Sequence, residues 1–166
     1  QIRPERQFGQ VGSELIGSQS PGADAEVILM AIEALYALGI ENLSIDIALP
    51  TLVPAVLRSL KLDNQTIATL RAALDRKDEA TLVSLASDLG KVATYQLTAM
   101  LRATGPAKAA LTSLNKLNLP EVAASERTSL ESVINDVRAA APELNLTVDL
   151  VESRGLEYHT GVTFTI

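Results

Sequence analysis

The stretch from residue 50 to residue 141 most strongly limits how this chain folds, because it consists of short amphipathic segments rich in leucine and alanine. Polar, glycine and proline positions interrupt it without a fixed-period repeat, and such residues end or begin helices. The breaks are Asp63-Asn64, Lys77-Asp78, Gly90, Gly105-Pro106 and Asn118-Leu119-Pro120. The pattern predicts helices over about 51–60, 64–75, 78–86, 90–102, 106–115 and 119–139.

Strand-like segments lie on both sides of this helical stretch. Before it come a predicted helix, 23–38, with Asp24 as a possible cap, and an alternating run, 43–49. After it come two further alternating runs, 146–151 and 162–166. The order predicts an α+β fold. We expect three parts: residues 1–49 and 142–166 in a core sheet, and residues 50–141 as a mainly helical segment or insertion.

Composition excludes several classes of protein. The 166 residues suffice for one domain with a small insertion, and a 3% aromatic content without tryptophan predicts a core of aliphatic side chains. A formal charge of −6 argues against general nucleic-acid binding, which needs clustered Lys and Arg. The absence of cysteine excludes disulfides and thiolate metal sites and fits a cytoplasmic location. No apolar run approaches the roughly 20 residues that span a bilayer.

Neither end of the sequence looks like the end of a protein. The chain starts with Gln1-Ile2-Arg3 rather than methionine, and it stops inside the run that ends at Ile166. We therefore expect it to be a piece of a longer protein.

Residues 6–16 alternate as a strand does, and one face of that strand would be polar. Its members are Phe8, Gln10, Gly12, Glu14 and Ile16. Two interpretations stay open. The face is either solvent-exposed, or it is the floor of a ligand site in which a carboxylate and an amide flank a glycine.

A second polar stretch, residues 152–161, joins the runs that end at Val151 and begin at Val162; we call it the elbow. It contains Arg154, Tyr158 and the only histidine, His159. The arginine can bind a carboxylate or phosphate, and the phenol and imidazole can donate or accept hydrogen bonds. Glu14 and Gln10 suit an ammonium group. Together with the three residues of the elbow, they suit a zwitterion such as an amino acid. The structural alternative, a lone histidine without ligand contact, is the commoner situation.

Motifs of other chemistries are missing from the sequence. It has no phosphate-binding glycine loop, no Ser-His-Asp spacing and no cluster with metal-ligand spacing. We accordingly expect no catalytic residues, no metal and no cofactor.

Three segments resemble motifs of the histidyl-tRNA synthetases. Residues 6–17, RQFGQVGSELIG, resemble the second strand of motif 2, R-Q-F-x-Q-x-G-x-E-x-x-G; residues 154–161, RGLEYHTG, resemble the histidine-binding motif R-G-L-D-Y-Y-x-G. Residues 21–26, PGADAE, are similar to the loop and helix start after motif 2. The resemblance implies a class II synthetase-like antiparallel sheet flanked by helices, with a helical insertion, in a protein that is usually dimeric.

The resemblance also implies roles for the five candidate residues. Residues that match Gln10 and Glu14 hold the amino group of bound histidine. The residue that matches Arg154 contacts the carboxylate and the adenylate phosphate, and those that match Tyr158 and His159 line the imidazole pocket.

Departures from the synthetase pattern favour a non-catalytic branch of the family. His159 replaces a tyrosine, Glu157 an aspartate, and Thr165 a glutamate, while motif 1 and the ATP-binding arginines have no counterpart in the chain. The sequence E-Y-H-T-G-V-T-F-T is more similar to that of the regulatory subunits of ATP phosphoribosyltransferase, which do not charge tRNA. That resemblance implies a short-form catalytic subunit as partner, a homodimer within a hetero-oligomer, and histidine as a ligand.

Two alternatives remain. The first is a fragment of an active histidyl-tRNA synthetase that activates histidine with ATP, since Gln10, Glu14 and Arg154 are retained. The second is a helical protein in which the two polar stretches coincide by chance.

Overall fold

The computed structural model describes residues 9–151 and 161–166, and in this part of the chain helices surround a small sheet. The helices are α1 (Pro21–Ala37), α2 (Leu52–Ser59), α3 (Asn64–Asp75), α4 (Glu79–Ser84), α5 (Ala86–Arg102), α6 (Ala107–Leu114) and α7 (Glu121–Ala140). The strands are β1 (Ser44–Ala48), β2 (Gly105–Pro106), β3 (Asn145–Asp149) and β4 (Thr163–Thr165). The predicted helices and the last three predicted runs are confirmed. α5 begins at Ala86, before the predicted start at residue 90, and it kinks at Gly90 (φ 77°, ψ 157°).

The sheet is mixed, with strand order β2-β3-β1-β4. β4 pairs with β1 and β2 pairs with β3 in antiparallel fashion, whereas β1 and β3 are parallel. The α+β class is therefore confirmed, while the expected antiparallel sheet contains one parallel pair at its centre. Parallel neighbours need a long crossover connection, and α2 to α7 provide it.

One face of the central strands is apolar and buried. The pairs Ile45↔Leu146 and Ile47↔Val148 lie side by side, and all four side chains are at most 3% exposed. They belong to one hydrophobic cluster that also includes side chains from α1 and from every helix of the crossover, α2 to α7. Because the same cluster includes members of all three predicted parts, packing does not separate them, and the division at residues 49 and 141 stays a prediction.

The predicted strand over residues 6–16 is wrong in the part that the structure describes. Residues 9–16 form neither helix nor strand, and the apolar side chains of Val11 and Ile16 are 100% and 87% exposed. An alternating pattern becomes a strand only when a neighbouring strand takes up its backbone hydrogen bonds. None of the four described strands pairs with this segment.

Among residues 9–151 and 161–166, no helix is both long and apolar enough to cross a bilayer.

Candidate functional site

The structure leaves the predicted five-residue pocket untested. Gln10 and Glu14 are both exposed and lie in the irregular segment before α1. Arg154, Tyr158 and His159 lie outside the described residues. The described part of the chain nevertheless fixes the positions of both ends of the elbow, and these ends define the candidate site.

The chain enters the elbow from the buried end of β3. Asp149, the last residue of this strand, has a side chain that is only 8% exposed. Its Oδ2 accepts a hydrogen bond from Lys77 Nζ at 2.7 Å, and its Oδ1 accepts one from the Val151 amide at 3.1 Å. Burial of an unpaired carboxylate is costly, so both partners are needed to keep it there. The carboxylate thereby sets the direction in which the chain leaves the strand.

The chain leaves the elbow at Gly161, next to the first turn of α1. A Cβ atom placed on Gly161 would lie 3.7 Å from Asp24 Oδ2. β4 then begins at once and pairs with β1 through Ala48↔Thr163 and Ile47↔Phe164. The start of α1, which directly follows the motif 2-like segment in sequence, is thus adjacent to the end of the elbow.

Asp24 does not cap α1, contrary to the prediction from sequence. Ser20 is the N-cap, and its Oγ accepts a hydrogen bond from the Ala23 amide at 3.3 Å. Pro21 at the first helical position is the signal for this start, because proline is favoured there. Asp24 lies in the first turn instead, and burial beside Gly161 raises the pKa of its carboxyl group.

The sheet face opposite the apolar one carries polar side chains that the sequence reasoning did not assign to a site. Thr147 Oγ1 donates to Asp46 Oδ1 at 2.9 Å across the parallel pair. Thr165 lies opposite Asp46 on β4, so the three residues form a row across β3, β1 and β4. The alternation of polar positions was the available signal, but it does not reveal which strands are neighbours.

The whole chain, residues 1–166, matches the family model described as histidyl-tRNA synthetase. The chain belongs to the histidyl-tRNA synthetase family.

Curated relatives within this family carry the name of a regulatory subunit. The chain is 52% identical over all 166 residues to the ATP phosphoribosyltransferase regulatory subunit of Paramagnetospirillum magneticum, and 48% identical over 166 residues to that of Rhodospirillum centenum. It covers 43% and 42% of those two proteins. The chain therefore spans less than half the length of these relatives.

The fold of this chain is similar to the folds of solved structures. An ATP phosphoribosyltransferase regulatory subunit/histidyl-tRNA synthetase from Bacillus halodurans has a TM-score of 0.75 at 25% identity, over 90% of this chain and 40% of that one. The ATP phosphoribosyl transferase (HisG:HisZ) complex from Thermotoga maritima has a TM-score of 0.69 at 17% identity, over 89% of this chain and 51% of that one. At this identity the second similarity shows the fold alone.

Proposed function

We propose that this chain is part of a non-catalytic regulatory subunit of ATP phosphoribosyltransferase, which serves histidine biosynthesis. The observation that carries the proposal is the 52% identity over all 166 residues to a protein of that name. The sequence of the elbow supports the same branch of the family, since His159 stands where the synthetases have a tyrosine.

The proposed ligand is histidine or a related zwitterion. Glu14 and Gln10 take its ammonium group, Arg154 takes its carboxylate, and Tyr158 with His159 line the side-chain end. The position of Gly161 beside Asp24 supports this pocket, because it brings the end of the elbow next to the helix that follows Gln10 and Glu14 in sequence. Bound ligand would act by linkage, shifting the assembled enzyme between states of different activity.

The proposed partner is the short-form catalytic subunit of ATP phosphoribosyltransferase, bound to a homodimer of this protein in the cytoplasm. The name of the relatives supports the partner, because a regulatory subunit acts on a catalytic one. The absence of cysteine is compatible with a reducing compartment.

Two measurements on the full-length protein test the function. We expect it to co-elute with the short-form catalytic subunit in size-exclusion chromatography and to change the ATP phosphoribosyltransferase activity of that subunit. We expect no histidine-dependent exchange of pyrophosphate into ATP. Failure to form the complex, together with robust exchange, would overturn the proposal.

The second candidate function is histidine activation by a catalytically active histidyl-tRNA synthetase. It is favoured by the family model and by the retained Gln10, Glu14 and Arg154. The pyrophosphate exchange decides between the two functions, since only a synthetase forms an adenylate from histidine and ATP.

The pocket itself is tested by calorimetry with L-histidine. Glu14→Ala and Arg154→Ala each remove one charged hydrogen-bonding partner, which costs about 1.5–3 kcal/mol, or roughly tenfold or more in affinity. Glu33→Ala and Arg58→Ala remove exposed charges of the same sign elsewhere and should leave the affinity unchanged. Unchanged affinity in both pocket variants would remove the assignment.

A further inference from the structure

The part of the crossover between α3 and the main length of α5 is weakly anchored in the core. In residues 75–92, Leu82 is the one fully buried side chain, while Leu85 and Leu89 are half-buried against the same hydrophobic cluster. The flanking helices bury more: Leu70, Ala73 and Leu74 in α3, and Ala93, Gln96, Leu97 and Met100 in α5. Segments with few buried apolar contacts open locally at a lower free energy than the rest of a fold.

Residues 78–89, which we call the strap, lie between two backbone positions that are not helical. Lys77 has a left-handed φ of 55°, and Gly90 has φ 77° and ψ 157°. The second combination is one that only glycine adopts without strain. A Cβ atom on Gly90 would have no heavy atom of the described residues within 4 Å beyond its chain neighbours, so backbone geometry rather than packing requires the glycine. The chain changes direction at both positions, and such positions serve as hinges.

The strap keeps its own shape through internal hydrogen bonds. Asp78 caps α4 by accepting the Thr81 amide at 3.1 Å and the Thr81 hydroxyl at 2.6 Å. The Ser84 hydroxyl donates to the Thr81 carbonyl at 2.8 Å, and the Leu89 amide donates to the Leu85 carbonyl at 3.0 Å. Rotation at the two ends would break none of these bonds, so the strap can move as a unit.

Within residues 9–151 and 161–166, one pair of side chains forms the polar contact between the strap and another element. Arg102, in the last turn of α5, donates from Nε to Glu79 Oε2 at 3.0 Å and from Nη2 to Glu79 Oε1. The two side chains are 68% and 34% exposed. A bidentate pair of this kind is specific in geometry, but salt screens it because it is exposed to solvent.

We propose that the strap is a conformational device that opens about Lys77 and Gly90 while α3, the rest of α5 and the sheet stay folded, and that the Glu79–Arg102 ion pair holds it closed. α4 packs against both α3 and α5, so opening uncovers apolar surface on both helices. The inference is independent of the proposed function, since no ligand or partner enters it.

Native-state hydrogen exchange of the full-length protein tests the opening without any substitution. The Leu85 amide, which donates to the Thr81 carbonyl at 3.2 Å, should exchange through an opening whose free energy hardly changes in dilute urea. Amides in the middle of α7 should exchange only with global unfolding and depend steeply on urea. The same free energy and the same urea dependence at Leu85 and in α7 would overturn the proposal.

Salt and a matched pair of arginine variants test the ion pair. Arg102→Met should accelerate exchange at Leu85 about threefold to fivefold, the upper range for an exposed pair, and salt of about 1 M should do the same in wild type. Arg58 also lies in the last turn of a helix, α2, and is in no ion pair among the described residues. Arg58→Met should therefore leave exchange at Leu85 unchanged.

Charge exchange between the two partners completes this test. Glu79→Arg and Arg102→Glu should each accelerate exchange at Leu85, and the double variant should restore the slower rate, because it re-forms the pair with reversed polarity. Unchanged exchange at Leu85 in Arg102→Met and in high salt would overturn the role of the pair.

Two glycine variants test the hinge. Gly39 has the same φ of 77° as Gly90, and its Cβ atom would likewise have no described neighbour within 4 Å. Gly90→Ala should accelerate exchange at Leu85 about fivefold or more, because alanine strains the closed backbone. Gly39→Ala should leave it unchanged. An equal acceleration in the middle of α7 in Gly90→Ala would show a global loss of stability and overturn the assignment of Gly90 as a hinge.

Discussion

Helices α1 and α3 both have an aspartate at or near their first turn, but the two carboxylates do different things. Asp63 is the N-cap of α3, where it accepts the amides of Gln65 and Thr66 at 2.9 Å each and the Thr66 hydroxyl at 2.6 Å. In α1 the capping role falls to Ser20, and Asp24 lies beside Gly161 without a hydrogen-bond donor among the described residues.

The pKa values of the two carboxyl groups move in opposite directions. Hydrogen bonds, above all from the Thr66 side chain, lower the pKa of Asp63, whereas burial raises the pKa of Asp24. The cap stabilises its helix locally. Asp24 is partly desolvated at the point where the elbow ends, which disfavours the charged form of its carboxyl group. The presence of an aspartate near a helix start therefore does not reveal whether its carboxylate caps the helix or lies partly buried beside another segment.

The largest expected effect concerns what α1 and α3 share, a buried face. Ile28→Ala in α1 and Leu70→Ala in α3 each remove a side chain that is 0% exposed, and each should lower the free energy of unfolding by about 2–5 kcal/mol. Urea denaturation measures it. Val92→Ala, at a side chain that is 70% exposed, should stay within about 0.5 kcal/mol. A small loss of unfolding free energy in only one of the two variants would show that the two buried faces do not stabilise the fold equally.

A smaller effect is expected at the cap of α3. Asp63→Ala should lower the thermal midpoint, whereas Asp63→Asn should keep most of the cap, because asparagine accepts the same amide bonds. The lowered pKa makes the contribution of Asp63 complete above its ordinary value of 3.8 and lost as the pH falls through the folded-state value. Melts at about pH 5 and about pH 2 should therefore differ less in Asp63→Asn than in wild type. Equal pH dependence in both would contradict the assignment.

The smallest effect is expected at Asp24, with the opposite sign. Its raised pKa means that the favourable contribution is present below 3.8 and is lost as the pH rises through the folded-state value. Asp24→Asn should consequently raise the thermal midpoint near pH 7 and leave it nearly unchanged near about pH 3. A lower midpoint at pH 7 would show that the charge of Asp24 stabilises the fold, and the contrast with Asp63 would disappear.

Helices could be predicted from the sequence because their signals are local. The prediction of 64–75 for α3 agrees with the structure at both ends, since Asp63 caps it and the break at Lys77-Asp78 follows it. The strands β1 and β3 were found from the alternation of Ile45 and Ile47 and of Leu146 and Val148. Each of these signals lies within one turn or a few residues of the element that it defines.

Pairings between distant residues could not be predicted in this way. The parallel register Ile45↔Leu146 and the ion pair Lys77–Asp149 join positions 101 and 72 residues apart, and no local pattern encodes either. In segment 9–16 the local pattern predicted a strand that does not form, because its alternation is clear but no described strand pairs with it. For the candidate site, the sequence supplied the residue types of the elbow. The hydrogen bonds of Asp149 before the elbow and the position of Asp24 beside its last residue required the structure.

The parallel pairing of β1 with β3 has a consequence for the order in which the protein forms during synthesis. β1 leaves the ribosome about 100 residues before its central partner does, at a synthesis rate of roughly 5–20 residues per second. In that interval of several seconds, α2 to α7 can form from local contacts, while the edge of β1 has no β3 to pair with. Closure of such a long loop is slow relative to helix formation. We therefore expect the sheet to be completed last and the unpaired β1 to be the part of the nascent chain most exposed to misassembly.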